Sequence, residues 1–191
     1  MAAPTTRFRL IPQGTLTTAI NTPAQRLATI TGESIISTGL GNEASLGSVD
    51  ILDAADNSNI ITMLWDVTAN NGCSVVQDFA IWLSSNGFDQ AGSVAKLQAL
   101  SGADQGAPAN TENYIADAVI GNYTWITMPE EQPTINVWPS DEGIAMSTPS
   151  ASDDVVMWAM YFAIAQSETS GIYRGLTTNF QLQLSFRYSY S

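Results

Sequence analysis

The chain is 191 residues long, 45% hydrophobic and only 13% charged, with eighteen acidic against six basic residues and a net charge of −12. That size and apolar content suit one domain with its own core and exclude a disordered tail; the lack of a basic face excludes phosphate-driven nucleic-acid binding and repels an anionic membrane surface. Histidine is absent and Cys73 is the single cysteine, which removes the commonest general base and metal ligand, any intramolecular disulfide and any cysteine-based zinc site.

In chain order, Met1-Ala2-Ala3-Pro4-Thr5-Thr6 lacks the apolar core of a signal peptide, and no run approaches the roughly eighteen apolar residues of a membrane-spanning helix. The expectation is a protein made and folded in a cytoplasm and not secreted. Arg7 to Ile11 alternates, with Phe8 and Leu10 on one face, until Pro12-Gln13-Gly14 breaks it. The runs Thr15 to Ile20 and Leu27 to Ile36 are rich in Thr and Ile, which fit a pleated surface. Ser48 to Leu52 reads as a short strand ending at the turn-prone stretch Asp53 to Asn59.

Ile60 to Thr68 and Ser74 to Ser84 are apolar runs joined through Asn71-Gly72. Asn and Gly accept the positive φ of a tight turn, so the spacing predicts a β-hairpin. Within the second run Val75, Gln77, Phe79, Ile81 and Leu83 are expected on one face, opposite Val76, Asp78, Ala80 and Trp82. Ser93 to Ser101 fits a short helix or a strand. Gly102 to Glu112 is a loop by composition. Tyr114 to Thr127 reads as a strand pair broken at Gly121-Asn122, Thr134 to Trp138 as a short strand, and Ser140 to Asp154 as a polar loop. Val155 to Ala165 is the most hydrophobic segment and has the length of a long strand.

The clearest pattern comes last. Phe180, Leu182, Leu184, Phe186, Tyr188 and Tyr190 alternate with Gln181, Gln183, Ser185, Arg187 and Ser189, the period of a long half-buried strand. About eight to ten strands separated by turn signals predict an all-β fold, an antiparallel β-sandwich of jelly-roll-like form with at most one or two short helices. The whole chain, 1–191, is expected to form a single domain, with residues 1–12 as an extended N-terminal arm.

Several groups of residues invite a chemical role. Asp50, Asp53 and Asp56 with Asn57, Ser58 and Asn59 gather carboxylates and amides at one turn, as a calcium loop does, but without the ligand spacing of a helix-loop-helix calcium motif, and Asx residues are also what turns are made of. The acidic pairs Glu130-Glu131, Asp141-Glu142 and Asp153-Asp154 supply glycosidase-like carboxylates, yet all lie in polar loops where solvated acids are the norm. Gly39-Leu40-Gly41 is a lone doublet without the rest of a phosphate loop. Cys73 has no neighbouring base to activate it and reads as a small buried or half-exposed side chain. Trp65 and Trp158 sit in apolar runs and read as core, leaving Trp125 and Trp138 as an exposed aromatic surface. Arg7, Phe8 and Arg9 are the expected partner contacts of the N-terminal arm. These readings call for no catalytic residue, no metal and no cofactor.

The Thr/Gly/Asn/Ser-rich, lysine-poor acidic composition, the segment Trp65 to Leu83 and the closing strand Phe180 to Tyr190 resemble the small β-sandwich structural proteins of tailed bacteriophages. These are capsid decoration (cement) proteins and tail components, and the likeness runs over most of the chain without transferring a role to any one residue. The resemblance implies a non-enzymatic virion protein that joins copies of itself, a trimer being favoured, and other virion proteins, binding neither nucleic acid nor membrane. The alternative, from the tryptophans, is a carbohydrate-binding or receptor-binding module on the same kind of sandwich.

Overall fold

The computed structural model describes residues 2–12, 33–36, 48–99, 125–133, 144–145, 155–171 and 180–190. They form β1 (Thr5–Pro12), β2 (Ser34–Ile36), β3 (Asp56–Asn57), β4 (Ile61–Ala69), β5 (Val75–Asn86), β6 (Val94–Ala99), β7 (Ile126–Thr127), β8 (Ile144–Ala145), β9 (Val155–Ile164) and β10 (Phe180–Ser189). All pairings are antiparallel, and among the described residues there is no helix. One sheet runs β2-β1-β4-β9-β6-β7, with β3 also on β9; the second runs β10-β5-β8. The all-β sandwich read from the alternating sequence is therefore the fold found.

The core fills the gap between the sheets. From the larger sheet it takes Ile61, Met63, Trp65 and Val67 of β4, Trp158, Met160, Phe162 and Ile164 of β9, and Ala95 and Leu97 of β6; from the smaller, Val76, Phe79, Ile81 and Leu83 of β5 and Phe180 of β10. Aromatic rings cross the gap: Trp65 meets Phe79 at 4.9 Å and Phe186 at 5.2 Å between centroids, and Phe162 stacks on Phe180 at 4.7 Å. Such pairs add ~0.5–1.5 kcal/mol beyond the area they bury. Seven consecutive residues of β4, Ile61 to Val67, are buried, so the centre of the larger sheet is enclosed on both faces. That explains why this run looks continuously apolar instead of alternating.

Several expectations are corrected. The Asn71-Gly72 turn is present, with φ of 52° and 81° and a Cys73 N–H to Asn70 carbonyl bond of 2.9 Å, but it does not close a hairpin. β4 pairs with β1 and β9, whereas β5 pairs with β10 and β8, so the turn carries the chain from one sheet to the other. Turn chemistry sets the reversal; two strands that each bury an apolar face gain more by facing one another across the core than by lying side by side.

The single alternating face expected along β5 is also broken. Ser185 pairs with Ala80 and Arg187 with Gln77, so three steps on β5 oppose two on β10. The extra residue sits where Asp78 has a φ of 57°, a β-bulge that moves the core row from Val76 to Phe79, Ile81 and Leu83. A second slip lies between the Phe180–Asn86 and Leu182–Leu83 pairs.

The short strand expected at Ser48 to Leu52 is not formed. Asp56 Oδ2 accepts from Asp50 N–H at 3.3 Å and Asp50 Oδ1 from Leu52 N–H at 3.1 Å, so side-chain carboxylates take the amides a ladder would need. Ser93 to Ser101, open between helix and strand, contains strand β6. β8 lies inside the expected polar loop 140–154. The expected strands at 15–20 and 134–138 and the loop at 102–112 lie outside the described residues, as do the first part of 27–36 and most of 114–127.

Candidate functional site

Arg7, Phe8 and Arg9 lie in β1, hydrogen-bonded between β2 and β4. Phe8 turns into the inter-sheet core, with its ring 6.5 Å from that of Trp158. Arg7 and Arg9 share the opposite face with Asp66, since Arg7 pairs with Asp66 across the ladder. Arg7 Nε lies 3.0 Å from Asp66 Oδ1 and its Nη2 3.1 Å from Oδ2. Arg9 Nη2 reaches the same Oδ2 at 2.8 Å, and Arg9 Nη1 reaches Glu33 Oε2 at 3.1 Å. The side chains of Arg9, Asp66 and Glu33 are 0%, 1% and 5% exposed. Two cations and two anions thus neutralise one another inside the fold, which fixes β1 against β4. Arg9 is fully enclosed and Arg7 only 20% exposed, so neither is displayed as a free surface charge. The signal for this was a lone aspartate in the apolar run ITMLWDVTA opposite two arginines two residues apart.

Of the exposed aromatics expected, Trp125 is half-buried with its ring edge-on to Tyr161 at 4.8 Å; Trp138 lies outside the described residues. Next to Trp125, Ile126 is 49% exposed, and Lys96 donates to Thr127 Oγ1 at 3.0 Å on the neighbouring strand. Burial raises the Tyr161 hydroxyl above its usual value of 10.0.

The acidic turn borders a cleft of about 280 Å³ lined by Val49, Asp50, Ile51, Leu52, Gln166, Glu168 and Ser170. Its carboxylates are already engaged by backbone. Glu168, 6% exposed, accepts from the N–H groups of Asp89 at 2.8 Å, Gln90 at 3.2 Å and Thr169 at 3.3 Å, pinning the β5–β6 connection to the end of β9. No cluster of metal-ligating side chains occurs among the described residues. Glu130 Oε1 accepts from Asn86 Nδ2 at 2.7 Å, a structural contact; the pairs at 141–142 and 153–154 lie outside the described residues. Cys73 is buried, its Sγ 3.2 Å from the Ser189 carbonyl. Nearby, Tyr190 donates to the Ala2 carbonyl at 2.5 Å, Asn71 Nδ2 to the Ala3 carbonyl at 2.7 Å and Ser74 N–H to the Ser189 carbonyl at 2.9 Å, so the turn and the residues just after it hold both the start of β1 and the end of β10.

The last feature is β10 itself. It pairs with β5 along its length, and among the described residues no strand borders its other side. Beyond Phe180 its inward row is less covered than the centre of the core: Leu182, Leu184 and Phe186 are only half-buried and Tyr188 is 39% exposed, against 0–2% for Met63, Trp65, Phe79 and Ile81. The arrangement offers main-chain hydrogen bonds and apolar contact. Comparison with protein-family models, with curated proteins and with solved structures finds no match to this chain.

Proposed function

We propose that this protein is a non-enzymatic structural subunit of an assembly, of the kind the sequence resembles: a virion component of a tailed bacteriophage, either a capsid decoration (cement) protein or a tail component. The observation that carries this reading is β10, a ten-residue strand bordering a core row that is only partly covered. Strand edges and half-covered apolar rows are completed by neighbours. Among the described residues, Glu168 of the cleft and the arginines of β1 support the same reading, because they are engaged in holding the fold.

The test is compositional. Particles purified from the producing cells are analysed by quantitative mass spectrometry and by immunogold labelling. The expected result is many copies per particle at a regular position on capsid or tail. A protein found only in the soluble fraction, in cells that are making particles, defeats the reading.

A second reading, a carbohydrate-binding or receptor-binding module, draws on Trp125 beside the exposed Ile126. Glycan-array binding that disappears in Trp125→Ala and Trp138→Ala would favour it over the first.

A further inference from the structure

We infer that the open edge of β10 joins two copies of this chain, strand to strand and antiparallel, into one continuous sheet. This deepens the reading of the chain as an assembly subunit and rests on it. The argument begins with which backbone groups the edge presents. The Gln181 carbonyl accepts from Ser84 Oγ of β5, and the Ser189 carbonyl accepts from Ser74 N–H just before β5. Both residues are odd-numbered, and successive residues of a strand point their amide and carbonyl groups to opposite sides. The groups of Leu182, Leu184, Phe186 and Tyr188 therefore point away from β5. Among the described residues they form an unpaired ladder, of the kind that natural proteins blunt with lysines, prolines or short length. Residues 180–190 contain no proline, no lysine and no acid, and Arg187 is their only charge.

Charge then selects the partner. A chain of net charge −12 repels its own copies, so a contact between copies is favoured where unpaired acids are few; residues 180–190 carry none, and Asp78 beside them is paired with Arg187. The sequence is also complementary to itself. In the antiparallel register that places Leu184 opposite Leu184 of the second copy, Leu182 faces Phe186, Phe180 faces Tyr188, Gln183 faces Ser185 and Gln181 faces Arg187. Apolar residues meet apolar, no like charges are opposed, and the pairing is isologous, as a two-fold dimer requires. The half-buried row of each copy is continued by that of the other, which supplies the cover this part of the core lacks. Because the remaining force between copies is repulsive, added salt strengthens the contact, opposite to what joins oppositely charged partners.

The experiment combines sedimentation equilibrium of the full chain with residue-resolved amide exchange by nuclear magnetic resonance. The expected result is a dimer whose affinity rises between 50 and 500 mM salt. The amides of Leu182, Leu184, Phe186 and Tyr188 gain protection with concentration, while those of Gln181, Gln183 and Ser185 are protected throughout. Gln183→Glu, which sets an acid beside the joint on the solvent face, weakens dimerisation at least tenfold with unchanged melting temperature; Leu184→Pro, which removes an outward N–H, weakens it as much but also lowers the melting temperature, because Leu184 packs against the core. An oligomer whose outward amides exchange freely overturns the inference, as does a monomer in which they are protected at every concentration. Either result leaves the structural-subunit reading intact if the protein is still found in particles; absence from particles is what defeats that reading.

Discussion

Arg9 Nη2 lies 2.8 Å from Asp66 Oδ2, and the two side chains are 0% and 1% exposed. A charge at that depth is tolerated only because its partners are fixed around it, Arg7 on the same carboxylate and Glu33 on the other side of Arg9. Removing one member leaves the others charged and buried, the costly case for an ion pair. Asp66→Asn, which strands two guanidinium groups, is expected to destabilise the fold by about 3–5 kcal/mol, read from the midpoint of urea unfolding. Arg7→Lys, at the one partly exposed member (20%), is expected to cost much less.

At Asp78 the backbone adopts a φ of 57° where β5 carries an extra residue. A left-handed conformation costs an ordinary residue about 1–2 kcal/mol, and asparagine and glycine tolerate it best. Asp78→Val is therefore expected to lower stability by roughly that amount. Asp78→Gly should cost much less, because it relieves the backbone, and the pair it loses with Arg187, whose side chain is 66% exposed, is weak. Thermal melts of the two variants check the contrast; equal losses would show that the ion pair and not the bulge matters.

Ser58 closes the gap where the chain passes from β3 to β4 along the same side of β9. Its N–H donates to the Phe162 carbonyl at 2.9 Å, and its Oγ accepts from Phe162 N–H at 2.8 Å. Ser58→Ala removes the acceptor and leaves a buried amide without it, at an expected cost of about 1–3 kcal/mol. Faster exchange of the Phe162 amide is the local signature, with the amides of β10 unaffected.

Tyr161 holds its proton more tightly in the folded chain than in the unfolded one, because burial disfavours the phenolate. The stability this represents is complete below the ordinary tyrosine value of 10.0 and is lost as the pH climbs from there through the raised folded value. Stability is therefore expected to fall above about pH 10, with Tyr161→Phe falling less steeply than the parent chain. Parallel curves for the two proteins between pH 9 and 11.5 would contradict this.

The sequence by itself determined the class of the fold and the position of its longest strands. β4, β9 and β10 fall within a residue or two of the apolar runs Ile60 to Thr68 and Val155 to Ala165 and the alternation from Phe180, because side-chain period and β-branched composition act locally, through the backbone of each segment. The core tryptophans Trp65 and Trp158 were legible for the same reason, each lying within a continuous apolar run. What only the tertiary structure decided is which strands are neighbours and which polar groups meet. Asn71-Gly72 encodes a reversal and nothing about the sheet the chain enters next. The bulge at Asp78 has no local signature, since it exists to match ten residues of β10 to twelve of β5. Arg7 and Arg9 read as surface charges until Asp66, 59 residues from Arg7, is brought onto the same face. Burial of a charge depends on partners distant in sequence, and one-dimensional patterns carry only the interactions between near neighbours.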